Sequence, residues 1–244
     1  MRIRVLALVA TAGLLVGAAP APLPDLAESD WDDLRAGEVV VQQEAAPPGH
    51  YVVTMSALLS ETPDAVWDVV VDCAHFQDFM PRMRESEASE TPAGDRLCRT
   101  VSDLPFPLSD FESQVLSRTR EDRDGTRHRY FEQVPGDWSF EESVGHWAVI
   151  PLADGANRTL LRYRIAVVPR IKLPKFIVRA AQERTAPDMF AAISAEARRR
   201  TRPSISSAMR AGTEVPPDHG ARSPVAGVSS PVPGAVSAAP PIAP

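Results

Sequence analysis

Lysine and cysteine are scarce in this chain of 244 residues. Its 26 basic residues include only two lysines, Lys172 and Lys175, and the formal net charge is −6. A broad cationic surface for a phosphate backbone is therefore not expected. The one basic cluster, at 198–202, ends a predicted helix, where cations complement the helix dipole. We expect no nucleic-acid partner.

Motifs of common catalytic and metal sites are also missing. The five histidines lack the paired helical spacing of a zinc site. No Gly-x-Ser-x-Gly elbow, phosphate-binding glycine loop or dinucleotide fingerprint occurs. These absences disfavour hydrolases and nucleotide-dependent enzymes, and we expect neither a metal nor another cofactor.

The two cysteines, Cys73 and Cys98, leave two alternatives open. A disulfide between them would persist in an oxidising compartment. Both residues also lie in apolar contexts, where buried free thiols are common. The sequence does not show whether the two side chains meet.

The beginning of the chain is typical of an export signal. Arg2 and Arg4 precede an apolar run from Val5 to Ala19 that ends in small residues, which predicts a signal peptide over 1–18. The run is too short to span a bilayer comfortably, so no stable membrane span is expected after cleavage; an uncleaved anchor is the alternative. The expected location is periplasmic or secreted.

The other end of the chain is rich in proline and poor in aromatic residues. Residues 203–244 contain nine prolines and no Phe, Trp or Tyr. Such a segment buries too little apolar surface to offset its ordering entropy. We predict a disordered Pro/Ala-rich tail.

Between these ends, residues 25–202 predict one α+β domain. Thr62 and Pro63 are typical of a helix start, and Val66 and Val69 then follow at helical spacing. Short turns separate the later strand-like segments, which predicts an antiparallel meander. The predicted helices cover 25–37, a segment from 63 to 72 and 174–200, and the predicted strands cover 38–44, 51–59, 82–90, 95–103, 108–121, 126–134, 143–151 and 157–168. Pro187 predicts a kink or a restart in the last helix.

Two stretches resemble a known superfamily. The first is Thr62-Pro63-Asp64-Ala65-Val66-Trp67 with the later Phe76, Phe79, Met80 and Pro81; the second is Gly145-His146-Trp147-Ala148-Val149-Ile150-Pro151. Together with Thr159 to Tyr163 and Leu173-Pro174, they resemble the START-like (SRPBCC) superfamily, in its polyketide cyclase/dehydrase and coenzyme Q-binding branch, over about 36–199. The resemblance implies a helix-grip fold, in which a curved antiparallel sheet wraps around a long C-terminal helix and encloses a hydrophobic cavity.

Candidate cavity residues come from the segment after the second helix, from several strands and from the last helix. Alternation places Trp147 and Tyr163 on inward faces of neighbouring strands, and His146 on the opposite face, toward solvent. The full set of candidates is Phe76, Phe79, Met80, Met83, Phe111, Ser113, Trp138, Phe140, Trp147, Tyr163, Phe176 and Ala180. The alternative for the segment 76–83 is ordinary core packing, and the alternative for Trp138 and Phe140 is a loop anchor.

Three functional hypotheses remain open on this basis. The first is an exported protein that binds or carries an apolar small molecule, such as a lipid, quinone or polyketide-like compound, and needs no catalytic residue. The second is a cyclase or dehydrase that acts by general acid/base chemistry in the same cavity. The third is an interaction module whose cavity is filled by its own side chains.

Overall fold

A computed structural model of the chain describes residues 23–103, 110–154, 156–171 and 175–202, with side chains of the last helix described from Glu183 onward. The helices are α1 (Glu28–Arg35), α2 (Pro63–Val70), a 3₁₀ turn (Cys73–His75), α3 (Phe76–Phe79) and α4 (Lys175–Thr201). The strands are β1 (Val40–Gln43), β2 (Tyr51–Leu59), β3 (Met83–Glu90), β4 (Arg96–Ser102), β5 (Phe111–Glu121), β6 (Arg127–Gln133), β7 (Phe140–Pro151) and β8 (Thr159–Pro169).

All eight strands form one antiparallel sheet in the order β1-β2-β8-β7-β6-β5-β4-β3. The meander from β3 to β8 follows the chain, and β8 then pairs with β2, so that the first and last long strands are neighbours. The predicted α+β class and the helix-grip arrangement, with a curved sheet and a C-terminal helix, are confirmed.

The concave face of the sheet is covered by two helices. Thr62 caps α2 because its hydroxyl accepts a hydrogen bond from the Ala65 amide at 3.2 Å, with Pro63 in the first turn, as predicted. The valines of α2 then pack with the inner side chains of β2, β7 and β8 in the main hydrophobic cluster. Residues that form this cluster include Val53, Met55, Val66, Val69, Trp147, Val149, Leu161, Phe190 and Ile193. The cover of the sheet is therefore shared between α2 and α4.

The last helix runs without interruption from Lys175 to Thr201, through Pro187. The predicted restart at Pro187 is therefore wrong. Four side chains at helical spacing turn inward, whereas Ala191 is exposed. The inward residues are Ala186, Phe190, Ile193 and Ala197. Within the described residues, no helix is long and apolar enough to cross a membrane.

The outer face of the sheet carries a smaller apolar cluster beneath α1. Leu34 of α1 is fully buried against Val40 and Leu160, with Trp31 and Leu58 around them. Gly37 ends this helical segment with a φ of 88°, in the left-handed region that glycine tolerates without strain. The acidic amphipathic helix predicted from the sequence is thus confirmed, although it is shorter at both ends.

Candidate ligand-binding cavity

A cavity of about 380 Å³ lies between the concave face of the sheet, α3 and the middle of α4. Its lining is mostly apolar, and its size falls within the range of small-molecule sites. The described lining includes Met55, Phe76, Met80, Met83, Phe111, Val115, Phe131, Phe140, Trp147, Tyr163, Ile165, Ala186 and Met189. Side chains of the main core fill the space next to α2, whereas the space under α3 and α4 is left as the cavity.

The segment around α3 forms one wall of the cavity. Ser86 of β3 fastens it, because the Ser86 hydroxyl accepts a hydrogen bond from the Gln77 amide and the Ser86 amide donates to the Gln77 side chain, both at 2.9 Å. The same hydroxyl donates to the Ala74 carbonyl. Phe76 and Met80 are thereby held with their side chains buried and in the lining.

Strands β6, β7 and β8 supply the opposite, aromatic wall. The rings of Trp147 and Tyr163 stack with centroids 4.1 Å apart, and Phe131 lies 6.2 Å from Tyr163. Phe131 also lies across Gly145, its partner on β7, where a Cβ atom would come within 1.9 Å of the Phe131 ring. Gly145 therefore makes room for an aromatic side chain of the wall.

One end of the cavity is closed by a buried guanidinium group, that of Arg129 on β6. Only 3% of this residue is exposed. Its Nη1 donates to the Val70 carbonyl at 2.8 Å, and its Nη2 donates to the Ser117 hydroxyl at 3.0 Å and to Cys98 Sγ at 3.1 Å. The guanidinium carbon also lies 5.5 Å from the centre of the Phe76 ring.

Arg129 has no carboxylate partner among the described residues: its hydrogen bonds go to a carbonyl, a hydroxyl and a sulfur atom. Burial lowers the pKa of Arg129 to about 10, which still leaves it charged at neutral pH. A buried cation without a counter-charge is costly, and a ligand oxygen with negative charge would offset this cost.

Tyr163 adds a second polar group at the aromatic wall. Its hydroxyl makes no hydrogen bond to any described residue, and its ring takes part in the stacking with Trp147. Burial raises the pKa of Tyr163, so the phenol stays protonated and is able to donate a hydrogen bond. Arg129 and Tyr163 thus offer two donors to a molecule in an apolar cavity.

The mouth of the cavity carries the remaining charged groups. Arg82 and Asp103 are both part of the lining, and the Asp103 amide donates to the Arg82 carbonyl at 2.8 Å. Phe111 and Phe140 meet edge to face beside them, with centroids 4.8 Å apart. Among the described lining residues, Asp103 is the only carboxylate and no histidine occurs.

A disulfide between Cys73 and Cys98 ties the α3 wall to the sheet. Cys73 begins the 3₁₀ turn before α3, and Cys98 lies on β4 in the cavity lining. The alternative of two free thiols is therefore wrong. Arg129 also donates a hydrogen bond to Cys98 Sγ, so the disulfide helps to hold the guanidinium group in position.

The structure brings most of the predicted candidates together. Phe76, Met80, Met83, Phe111, Ser113, Phe140, Trp147 and Tyr163 line the cavity. Phe79 packs against Phe76 instead, and the Trp138 indole donates to the Val134 carbonyl at 2.9 Å as a loop anchor. The side chains of Phe176 and Ala180 lie outside the described residues.

Sequence reasoning missed Arg129 and Phe131. A charged residue on a strand is ordinarily assigned to the solvent face, so Arg129 did not suggest a cavity. The available signal was alternation on β6, because Arg129 and Phe131 lie two residues apart and therefore share a face.

The sequence predicted that His146 points into solvent, but the structure buries its side chain. On the outer face, Tyr130 stacks on its ring at 4.4 Å, and its Nε2 lies 2.8 Å from Nδ1 of His128, which in turn contacts Asp122. Only 7% of His146 is exposed, and its Nδ1 has no partner among the described residues. Burial, with nearby positive charge second, lowers the pKa of His146 to about 4.

The pKa of His146 predicts a pH-dependent stability. An unfolded histidine titrates near pH 6.5, so between pH 6.5 and 4 the unfolded chain binds more protons and the free energy of unfolding falls as pH falls. After allowance for partial solvent access, we expect a loss of about 2 kcal/mol across this window. Urea unfolding of wild type and His146→Gln at pH 7 and pH 4 measures it. Equal pH dependence of the two proteins would contradict the assignment.

The chain matches the model of the family described as polyketide cyclase / dehydrase and lipid transport over residues 59–194. This segment is more than half of the chain and contains α2, α3, all strands of the cavity wall except β2, and most of α4. A comparison with curated protein sequences gives no significant match.

Solved structures share the fold. The STAR-related lipid transfer protein from Xanthomonas axonopodis is 18% identical, with a TM-score of 0.52, over 65% of this chain and 98% of that chain. Human StAR-related lipid transfer protein 5 is 15% identical, with a TM-score of 0.53, over 71% of this chain and 92% of that chain. At these identities the likeness establishes the common fold.

Proposed function

We propose that this chain, which belongs to the polyketide cyclase/dehydrase and lipid transport family, binds one small apolar molecule in the cavity between sheet and α4. The bound molecule has an apolar body and an oxygen atom that accepts hydrogen bonds, as in a lipid, a quinone or a polyketide-like compound. We further propose that the protein is exported, through the signal at 1–18, and shelters this molecule in the periplasm or outside the cell.

The observation that carries the proposal is the pairing of an apolar cavity with two buried donor groups, the Arg129 guanidinium and the Tyr163 phenol. The aromatic wall and the methionines around it remove apolar surface from water, at roughly 25 cal/mol per Å² before the cost of immobilising the ligand. Arg129 and Tyr163 then fix the orientation of the ligand through its oxygen. The flexible thioethers of Met80, Met83 and Met189 adapt to ligands of different shape.

Catalysis by a cyclase or dehydrase mechanism is the second candidate, and the same two donors favour it. A guanidinium and a neutral phenol beside a ligand carbonyl would stabilise an enolate oxygen. Such an enzyme also needs a base, and Asp103, the carboxylate of the described lining, lies at the mouth with a half-exposed side chain. We therefore place binding ahead of catalysis.

Mass spectrometry under non-denaturing conditions tests the binding function. We expect the protein purified from its own host to carry one apolar molecule per chain, which denaturation releases. A protein that is consistently empty, and that takes up neither dodecanoate nor dodecanol, would rule out the carrier. Chemical conversion of an added polyketide, lost in Tyr163→Phe, would identify an enzyme instead.

Replacing Tyr163 by phenylalanine separates binding from stability. The change removes only a hydroxyl that bonds no described residue, so we expect the free energy of unfolding to stay within about 0.5 kcal/mol. Affinity for dodecanol should fall by about 3- to 10-fold, since one hydrogen bond to the ligand is lost. Calorimetric titration measures the affinity, with Tyr130→Phe on the outer face as the matched control. Unchanged affinity in Tyr163→Phe would show that the phenol does not contact the ligand.

A further inference from the structure

A second cleft lies beyond Arg129, at the opposite end of the concave face. Its volume is about 510 Å³, and it opens between the C-terminal end of α2 and the ends of β3, β4, β5 and β6. The charged residues of its lining are Glu90, Asp95, Arg96, Arg118 and Arg129. Unlike the apolar cavity, this cleft carries charged groups on most sides.

Two arginines are held side by side in the cleft by the end of α2. Arg129 donates to the Val70 carbonyl at 2.8 Å, and Nη1 of Arg96 donates to the Val71 carbonyl at 3.1 Å. The last turn of α2 has no basic residue of its own, so these arginines supply the cations that the helix end favours. The two arginines are also close enough to repel each other. Burial is the main cause of the lowered pKa of Arg129, and the positive charge of Arg96 lowers it further.

The end of α2 does not neutralise this pair. A helix terminus corresponds to about half an elementary charge, whereas the two guanidinium groups bring two full charges. Neither forms an ion pair with a described carboxylate. A guanidinium has five N–H donors. Toward the described residues Arg129 uses four of them, which leaves one for a ligand, whereas Arg96 uses one and keeps four.

The other charged groups of the cleft do not cancel the positive charge of Arg96 and Arg129. Asp95 is engaged with Arg118 at 3.2 Å, and Arg118 also approaches Glu132 at 3.7 Å. Glu90 lies opposite Arg96 in the strand register but makes no ion pair among the described residues. The lining thus carries three arginines against two carboxylates, one of which is already paired.

We propose that this cleft is a second binding site, for a soluble oxyanion whose oxygen atoms bridge Arg96 and Arg129. Planar guanidinium groups bind carboxylate and phosphate oxygens through paired hydrogen bonds. Trp67 and Val71 on the helix side accommodate an apolar substituent of the anion. The site is separate from the apolar cavity, and only Arg129 lines both.

Binding of inorganic phosphate and of acetate to the full chain tests the site and distinguishes the two oxyanion classes. We expect one of them to bind at millimolar concentration or below at low, constant ionic strength, with shifts of the arginine Nε–H signals in ¹H–¹⁵N NMR spectra. Arg96→Gln should weaken this binding about tenfold, because one charge-assisted partner is lost. Glu90→Gln should strengthen it about twofold, since the competing negative charge is removed.

Arg158→Gln is the matched control, because Arg158 is a partly exposed arginine that pairs with Asp154 and does not line the cleft. We expect it to leave the affinity unchanged. Loss of binding in Arg158→Gln equal to that in Arg96→Gln, or no binding of either anion by wild type, would overturn the proposal. If Arg96→Gln does not fold, Arg96→Lys keeps the charge without the fork, and unchanged affinity in that variant would equally count against a bridged anion. Arg96→Gln should leave dodecanol binding intact, so this test is independent of the proposed carrier function.

Discussion

Arg129→Met is expected to lower the affinity for dodecanoate by about 10- to 100-fold while changing the affinity for dodecanol far less. Both compounds have a skeleton of twelve carbon atoms and differ in the end group, which is a charged carboxylate in dodecanoate and a neutral hydroxyl in dodecanol. Since the buried guanidinium of Arg129 has no carboxylate partner among the described residues, a ligand carboxylate supplies the missing counter-charge. Calorimetric titration of wild type and Arg129→Met with each compound gives the ratio of the two affinities, and this preference for dodecanoate over dodecanol should fall in the variant.

The control for this prediction is Arg118→Met, which removes an exposed arginine of β5 with its pairs to Asp95 and Glu132. Its preference for dodecanoate should equal that of wild type. Arg129→Met leaves the Val70 carbonyl without its partner, so stability has to be followed in parallel by urea unfolding. If Arg129→Met retains the wild-type preference, the guanidinium does not contact the ligand and the orientation proposed for it is wrong.

Removing the disulfide with Cys73→Ala and Cys98→Ala together is expected to lower the free energy of unfolding by about 3 kcal/mol. The crosslink closes a loop with a sequence separation of 25, and the lost restriction of the unfolded chain accounts for this value in the chain-entropy description. Alanine is preferred to serine because both sites are almost fully buried and a hydroxyl there would lack a partner. Urea unfolding measures the change.

A reducing agent provides the matched control for the disulfide prediction. Reduction should destabilise wild type by a similar amount and leave the double variant unaffected. The same crosslink fastens the α3 wall, so ligand affinity should fall together with stability. Equal stability of wild type and double variant in the absence of reductant would show that the crosslink does not restrict the unfolded chain.

The order and type of the elements were predictable because they depend on local chemistry. Thr62 and Pro63 determine where α2 begins, and the period of two along β5, β7 and β8 determines which side chains share a face. The same alternation assigned Trp147 and Tyr163 to the inner face, where both line the cavity. Short turns between strands then required an antiparallel meander.

The assignments that failed depend on contacts between distant segments. His146 was expected in solvent because alternation places it on the outer face, but His128 and Tyr130 of the neighbouring strand bury it. Arg129 was overlooked because its partners come from α2, β4 and β5. Trp138 was a cavity candidate, but its indole N–H donates a hydrogen bond to a loop carbonyl, and no periodic pattern in the sequence indicates such a contact.

The sequence by itself determined the α+β class, the meander and the residues that face inward, because helix caps, turns and side-chain period act over a few residues. Only the tertiary structure decided that Cys73 and Cys98 are joined, and that Arg129 is buried with no carboxylate partner among the described residues. It also decided that side chains fill the space next to α2 while the space beneath α3 and α4 stays open. These features depend on how closely segments far apart in the chain approach each other. Local pattern carries no information about that distance.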